Sequence, residues 1–110
     1  MPQFITLQKA IDMTTLYRAQ KENILIPQFR NQKITPICET FDRSTFETLL
    51  AVSGCVSLRF YVGMDPDKKI RLIAVAVNSS GEDILGHDAQ IVEEGQRCPD
   101  ICPPASALNS

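Results

Sequence analysis

Residues 55–77, CVSLRFYVGMDPDKKIRLIAVAV, decide the fold of this chain. Residues 55–62 alternate between apolar and polar side chains, which predicts a β-strand with one buried face. Ile70–Val77 is almost continuously apolar, which predicts a strand at the centre of its sheet. Pro66 favours a turn between the two stretches. We therefore expect these two strands to pair as an antiparallel hairpin.

Two helices are predicted before this hairpin. Thr6 is a suitable N-cap for a helix over about residues 7–22. A second helix begins after Asp42, with Phe41 and Phe46 as a hydrophobic staple, or two residues later, where residues 44–47 fit a capping box. It ends at Gly54, because glycine adopts the left-handed conformation at little steric cost. The first helix carries a stripe at three- and four-residue spacing that we expect in the core: Leu7, Ala10, Ile11, Thr14 and Tyr17.

Shorter extended segments flank these elements. The segments Ile24–Ile26 and Ile34–Thr40 predict edge strands or irregular chain, since Pro27 and Pro36 lack the amide proton that a ladder needs. The segment Glu82–Leu85 follows a turn and predicts a third short strand.

The predicted architecture is a single α+β domain over residues 1–96, with two helices packed on a small, mainly antiparallel sheet. Residues 97–110, RCPDICPPASALNS, predict an extended Cys/Pro tail, because a residue that precedes proline is disfavoured in the helical region. A chain of 110 residues with 44% hydrophobic content buries enough surface for one core.

The charges are unevenly distributed along the chain. Residues 1–33 hold five basic and two acidic side chains, whereas residues 81–110 hold six acidic side chains and one basic side chain, Arg97. The acidic end and the 6% aromatic content disfavour a nucleic-acid partner. No apolar run approaches the roughly 20 residues that span a bilayer. With no basic and apolar leader at the N-terminus, we expect no membrane association and a cytoplasmic location.

The sequence permits zinc binding, disulfide formation, redox activity or free thiols at its cysteines. The residues concerned are Cys38, Cys55, Cys98 and Cys102 and the single histidine, His87. Cys98, Cys102 and His87 are candidate zinc ligands, with Cys38 or Cys55 as a fourth. There are three alternatives to zinc. The four cysteines could form two disulfides in any of three connectivities, Cys98 and Cys102 could have a redox role, or all four could be free thiols in a reducing cytosol. We expect no cofactor, with zinc as the alternative.

Other candidate binding residues are Arg59 and Tyr61, on the polar face of the first hairpin strand, and the tail prolines Pro99 and Pro103. A cation beside an aromatic ring suits a small anionic ligand. Alternatively, both side chains cover a solvated face, or the first helix packs there and Tyr61 donates its hydroxyl locally. Prolines lower the entropy that is lost when a tail docks. We identify no catalytic residue: His87 could act as a base for Cys55, Cys98 or a serine, but nothing in the sequence places them together. No nucleotide-binding, zinc-protease or calcium-loop motif occurs.

Three short motifs and the tail carry a resemblance. Gly54-Cys55, Leu58-Arg59-Phe60-Tyr61, Gly63-Met64-Asp65 and the Cys98-Pro99…Cys102-Pro103 ending are similar to a group of uncharacterised small bacterial proteins. The resemblance implies that the Gly-Cys junction and the tail belong together, and it implies no activity.

The function expected from the sequence is that of a non-enzymatic protein-binding or self-assembly module, forming a homo-oligomer. Residues 97–110 would dock on a neighbour or latch on their own domain. The alternative is a thiol- or zinc-dependent enzyme, or a redox protein, that uses Cys98, Cys102 and His87.

Overall fold

The computed structural model describes residues 3–86 and 90–109 and shows an α+β fold, as predicted. The helices are α1 (Leu7–Gln20) and α2 (Arg43–Leu50), and a single 3-10 turn (Pro27–Phe29) lies between them. The strands are β1 (Cys38–Thr40), β2 (Ser57–Met64), β3 (Ile70–Val77), β4 (Ile91–Val92) and β5 (Gln96–Cys98). No helix within the described residues is long and apolar enough to cross a bilayer.

The strands form two antiparallel sheets. One has the order β2-β3-β4, and the other pairs β1 with β5. The hairpin of β2 and β3 and the central place of β3 confirm two of the predictions from residues 55–77. The predicted buried face of the first strand is wrong, because Val56, Phe60 and Val62 on that face are 65%, 48% and 71% exposed. In the hairpin, Phe60 lies opposite Ala74.

The predicted third strand at Glu82–Leu85 is wrong. This segment makes one isolated bridge, between Asp83 and Val77. It does not extend further because β4 already pairs with the next residues of β3, where Ala74 lies opposite Val92 and Val75 lies opposite Ile91. The third strand is therefore β4.

The core lies where α2 packs on β3 and β4. Leu49 of α2 is fully buried and forms one cluster with Ala74, Ala76 and Val92. Phe41 and Phe46 stack at a centroid distance of 5.6 Å, which confirms the predicted staple at the start of α2.

The prediction that the stripe of α1 belongs to the core is wrong, because none of the residues of α1 is buried. Helix α2 occupies the apolar side of the sheet instead. Helix α1 is held beside the segment before β1, where the Tyr17 hydroxyl donates to the carbonyl oxygen of Pro36 over 2.6 Å. One side of α1 therefore remains exposed.

Candidate functional site

The start of the predicted tail belongs to a ladder. Within β1 and β5, Cys38 lies opposite Cys98, and Glu39 lies opposite Arg97. Arg97 is 5% exposed and Cys98 is 0% exposed. The predicted boundary at residue 97 thus falls inside a buried strand that holds the tail to the rest of the chain.

Arg97 joins three segments of the chain through its guanidinium group. Its Nε atom donates to the carbonyl oxygen of Ile70 over 2.8 Å, and its Nη1 atom donates to that of Pro99 over 3.1 Å. Its Nη2 atom donates to the carbonyl oxygens of Lys33 and Ile34, each over 2.6 Å. A guanidinium suits this position because its donors point outward in a fixed plane.

Burial of Arg97 has an electrostatic consequence. Loss of water around the guanidinium lowers its pKa, and the positive charge of Arg71 lowers it further, while Glu39 acts in the opposite direction. The guanidinium remains charged, because arginine titrates far above neutral pH. Its hydrogen-bond partners are backbone carbonyl oxygens, so the Arg97 side chain fixes the tail to the rest of the chain.

The edge of β3 beside Arg97 is covered by other polar groups. The amide of Ile70 donates to the carbonyl oxygen of Ile34 over 2.8 Å, and the amide of Leu72 donates to Glu39 Oε1 over 2.9 Å. These contacts satisfy β3 backbone groups beyond the short strand β4. Oxygen Oε2 of Glu39 is buried without a hydrogen-bond partner among the described residues.

Cys98 and Cys102 form a disulfide, with their Cα atoms 4.5 Å apart. Cys38 and Cys55 are free and half-buried. His87 lies outside the described residues. Among residues 3–86 and 90–109, no group of three His, Cys, Asp or Glu side chains is arranged to hold a metal ion. Zinc binding through His87, Cys98 and Cys102 stays a prediction. It requires that the disulfide be reduced, because zinc binds cysteine as the thiolate.

Arg59 and Tyr61 are brought together by Asp83, a residue that no sequence pattern had marked. Arg59 Nη1 donates to Asp83 Oδ1 over 2.5 Å, and the Tyr61 hydroxyl donates to Asp83 Oδ2. Arg59 Nη2 also donates to the carbonyl oxygen of Gly81 over 3.2 Å. An anionic ligand would therefore have to compete with Asp83 for both side chains.

The contacts around Asp83 shift two titrations in opposite directions. The Tyr61 hydroxyl and then the Arg59 guanidinium hold the pKa of Asp83 below its usual range, against partial loss of water. The same hydrogen bond to Asp83 raises the pKa of Tyr61. The contacts favour a Tyr61 hydroxyl that donates locally, one of the alternatives drawn from the sequence.

Two contacts beyond the disulfide and Arg97 fix the tail. Lys33 Nζ lies 2.6 Å from Asp100 Oδ1 and holds the pKa of that carboxyl below its usual range. The carbonyl oxygen of Leu108 accepts a hydrogen bond from Arg18 of α1. Pro99 lies beside Arg97 in a pocket that neither Arg59 nor Tyr61 lines, and Pro103 is exposed. The predicted binding residues thus do not form one site.

The exposed side of α1 carries an apolar surface, here called the α1 surface and defined by Met13, Leu16, Tyr17 and Ile24. These side chains line a shallow pocket of about 230 Å³. Leu16 is 65% exposed and Met13 is 58% exposed. Exposed apolar side chains that are contiguous mark interaction surfaces more often than isolated ones do.

Comparisons with known protein families, with curated proteins and with solved structures find no match. The resemblance to small bacterial proteins stays a prediction.

Proposed function

We propose that this chain is a non-enzymatic module that binds a second copy of itself through the α1 surface, with its C-terminal tail latched on its own domain. The observation that carries the proposal is the exposure of α1. This helix buries none of its residues, yet it presents Met13 and Leu16 to solvent beside Ile24. Burying one such side chain contributes about 1.5–3 kcal/mol.

The charges of the chain favour a second copy as the partner. The N-terminal part that contains α1 is basic, whereas the end after residue 81 is acidic. Opposite-signed regions on one chain attract each other between copies as well as within one copy. This attraction steers copies together, and the α1 surface supplies the apolar contact.

The tail contacts support a latch within one copy. Lys33 pairs with Asp100, and Arg18 donates to the carbonyl oxygen of Leu108. The ion pair is more than half exposed, so it contributes little to stability and weakens with salt. The latch would hold α1 in place and thereby position its apolar surface.

The test of self-association is light scattering of the full chain over a range of concentrations. Leu16→Glu places a charge in the α1 surface, and we expect it to shift the mass toward one copy. Ala19→Glu is the matched control, because it adds the same charge to an exposed position of the same helix outside that surface. Equal masses for both variants and the unmodified chain would contradict a role for the α1 surface.

The latch has a separate test. Deletion of residues 103–110 removes Leu108 but keeps β5, Arg97 and the disulfide. We expect faster amide hydrogen exchange in α1, because the contact with Arg18 is lost. Unchanged exchange in α1 would contradict the latch. Removing all of residues 97–110 is a poorer test, since it also removes Arg97 and half of a sheet.

A second candidate function is that of a thiol–disulfide redox protein, and the bond between Cys98 and Cys102 favours it. The cytoplasmic location also stays a prediction. A reducing cytosol would keep this pair as thiols. The redox state of the pair in fractionated cells therefore tests both the redox function and the cytoplasmic location.

A further inference from the structure

We infer that Cys38 is the third member of a thiol–disulfide exchange centre with Cys98 and Cys102. The centre has two covalent states: the observed bond between Cys98 and Cys102, and an alternative bond between Cys38 and Cys98. The inference rests on the β1–β5 register and on the tail disulfide, and it is independent of self-association.

The register places the free thiol and the disulfide together. Cys38 is the direct ladder partner of Cys98. Directly opposed residues of an antiparallel pair project from the same face, with Cα atoms about 4.5–5.5 Å apart. A disulfide requires about 4.4–6.8 Å between Cα atoms, so this pair meets the distance requirement without movement of the strands.

The exposure of the three cysteines suits the exchange. Cys98 is 0% exposed, so its sulfur is shielded from thiols in solution. Cys38 is half-buried and lines an open pocket of about 280 Å³ beside Tyr17 and Val62. Cys102 is exposed, so as a leaving group it departs directly into water. The register thus makes Cys38 the thiol that lies opposite the shielded sulfur.

The exchange conserves electrons. The thiol of Cys38 loses its proton to solvent, and the thiolate attacks the sulfur of Cys98. The bond between Cys38 and Cys98 forms as that between Cys98 and Cys102 breaks, and Cys102 leaves as a thiolate that takes up a proton. No oxidant or reductant is consumed. The product ties β1 to β5 covalently and presents a free thiol at Cys102, in the tail.

Tryptic mapping can separate the two states. Cleavage after Lys33, Arg43 and Arg97 places Cys38 on a peptide of residues 34–43 and both tail cysteines on residues 98–110. The observed bond lies within one peptide, whereas the alternative bond joins the two. The oxidised full chain is incubated without reductant, quenched with acid, alkylated and digested.

We expect the joined peptides and alkylated Cys102 in the unmodified chain and in Cys55→Ser, and neither in Cys38→Ser. The rate should rise by up to about tenfold per pH unit, because the thiolate is the attacking species. Equal alkylation of Cys102 in the unmodified chain and in Cys38→Ser would overturn the inference.

A second variant tests the geometry alone. Cys102→Ser leaves Cys98 without its partner, and oxidised glutathione supplies the oxidant. We expect the bond between Cys38 and Cys98, with two electrons passing to glutathione. Glutathione adducts on Cys38 and Cys98 without joined peptides would show that the two sulfurs cannot meet, and would also overturn the inference.

Discussion

Arg97 donates from its Nε atom to the carbonyl oxygen of Ile70 over 2.8 Å, and this contact joins the last strand of the chain to the first residue of β3. The same guanidinium reaches the segment before β1 through Ile34. The buried Arg97 side chain therefore links the two small sheets, together with the contact between the Leu72 amide and Glu39 Oε1. The position of the tail therefore depends on the Arg97 side chain.

Replacing Arg97 should destabilise the whole fold. Arg97→Ala leaves several carbonyl oxygens without a donor, and a buried unsatisfied polar group costs about 1–3 kcal/mol. Arg97→Lys should recover little of this loss, because one ammonium cannot reproduce the planar set of donors. Urea denaturation measures both variants. Arg43→Ala, which removes an exposed ion pair with Glu47, is the control and should change stability by less than about 1 kcal/mol.

Gly95→Ala should destabilise the fold by about 1–3 kcal/mol through overpacking. An added Cβ atom would lie 2.7 Å from the Phe41 ring and 3.0 Å from Glu39 Oε2. The ring cannot withdraw freely, because it stacks on Phe46. Gly86→Ala is the matched control, since nothing lies within 4 Å of its added Cβ atom. Thermal melts that fall equally for both variants would contradict this packing.

The contacts of Asp83 predict loss of stability at both ends of the pH range. Because its pKa is lowered in the folded chain, its contribution is present above about pH 4 and is lost as pH falls through the lowered value. Because the pKa of Tyr61 is raised, the contribution of its hydroxyl is present below about pH 10 and is lost as pH rises through the raised value.

Denaturation of the unmodified chain and of Asp83→Asn over a pH series measures the loss of stability at low pH. The difference in free energy of unfolding between them should be constant near neutral pH and should shrink below about pH 4. A tyrosinate absorbance titration of Tyr61→Phe against the unmodified chain measures the alkaline limb. A Tyr61 signal that appears below the usual range of tyrosine would refute the raised pKa.

The tail disulfide should contribute less to the global stability than Arg97, which satisfies several buried carbonyl oxygens. It closes a very short loop, for which the chain-entropy model gives about 2 kcal/mol. Phosphine reductant should therefore lower the urea midpoint modestly and leave the transition cooperative. The double variant Cys38→Ser, Cys102→Ser forms neither bridge discussed above, and reductant should leave its midpoint unchanged. Complete unfolding on reduction would contradict this ranking, in which Arg97 holds the tail more strongly than the disulfide.

The hairpin could be predicted from the sequence because its determinants are local. The alternation before Gly63 and the apolar run after Ile70 set the strands, and Phe41 and Phe46 set the start of α2. The place of α1 could not be predicted this way. Its apolar stripe looks like that of a core helix, and only the tertiary structure shows that α2 packs on the apolar side of the sheet instead.

The candidate site was predicted in part. Arg59 and Tyr61 were correctly placed side by side, but their partner Asp83 comes from a bridge that follows a turn. Arg97 was counted as one charge in an acidic segment. Its burial depends on pairing between β1 and β5, which are far apart in the chain, and no local pattern marks such an arginine.

The most direct test of self-association through α1 is sedimentation equilibrium of the unmodified chain over a concentration series. We expect a mass that rises above the 12.2 kDa of one copy in the unmodified chain and falls back in Leu16→Glu. A mass of 12.2 kDa at every concentration would contradict it.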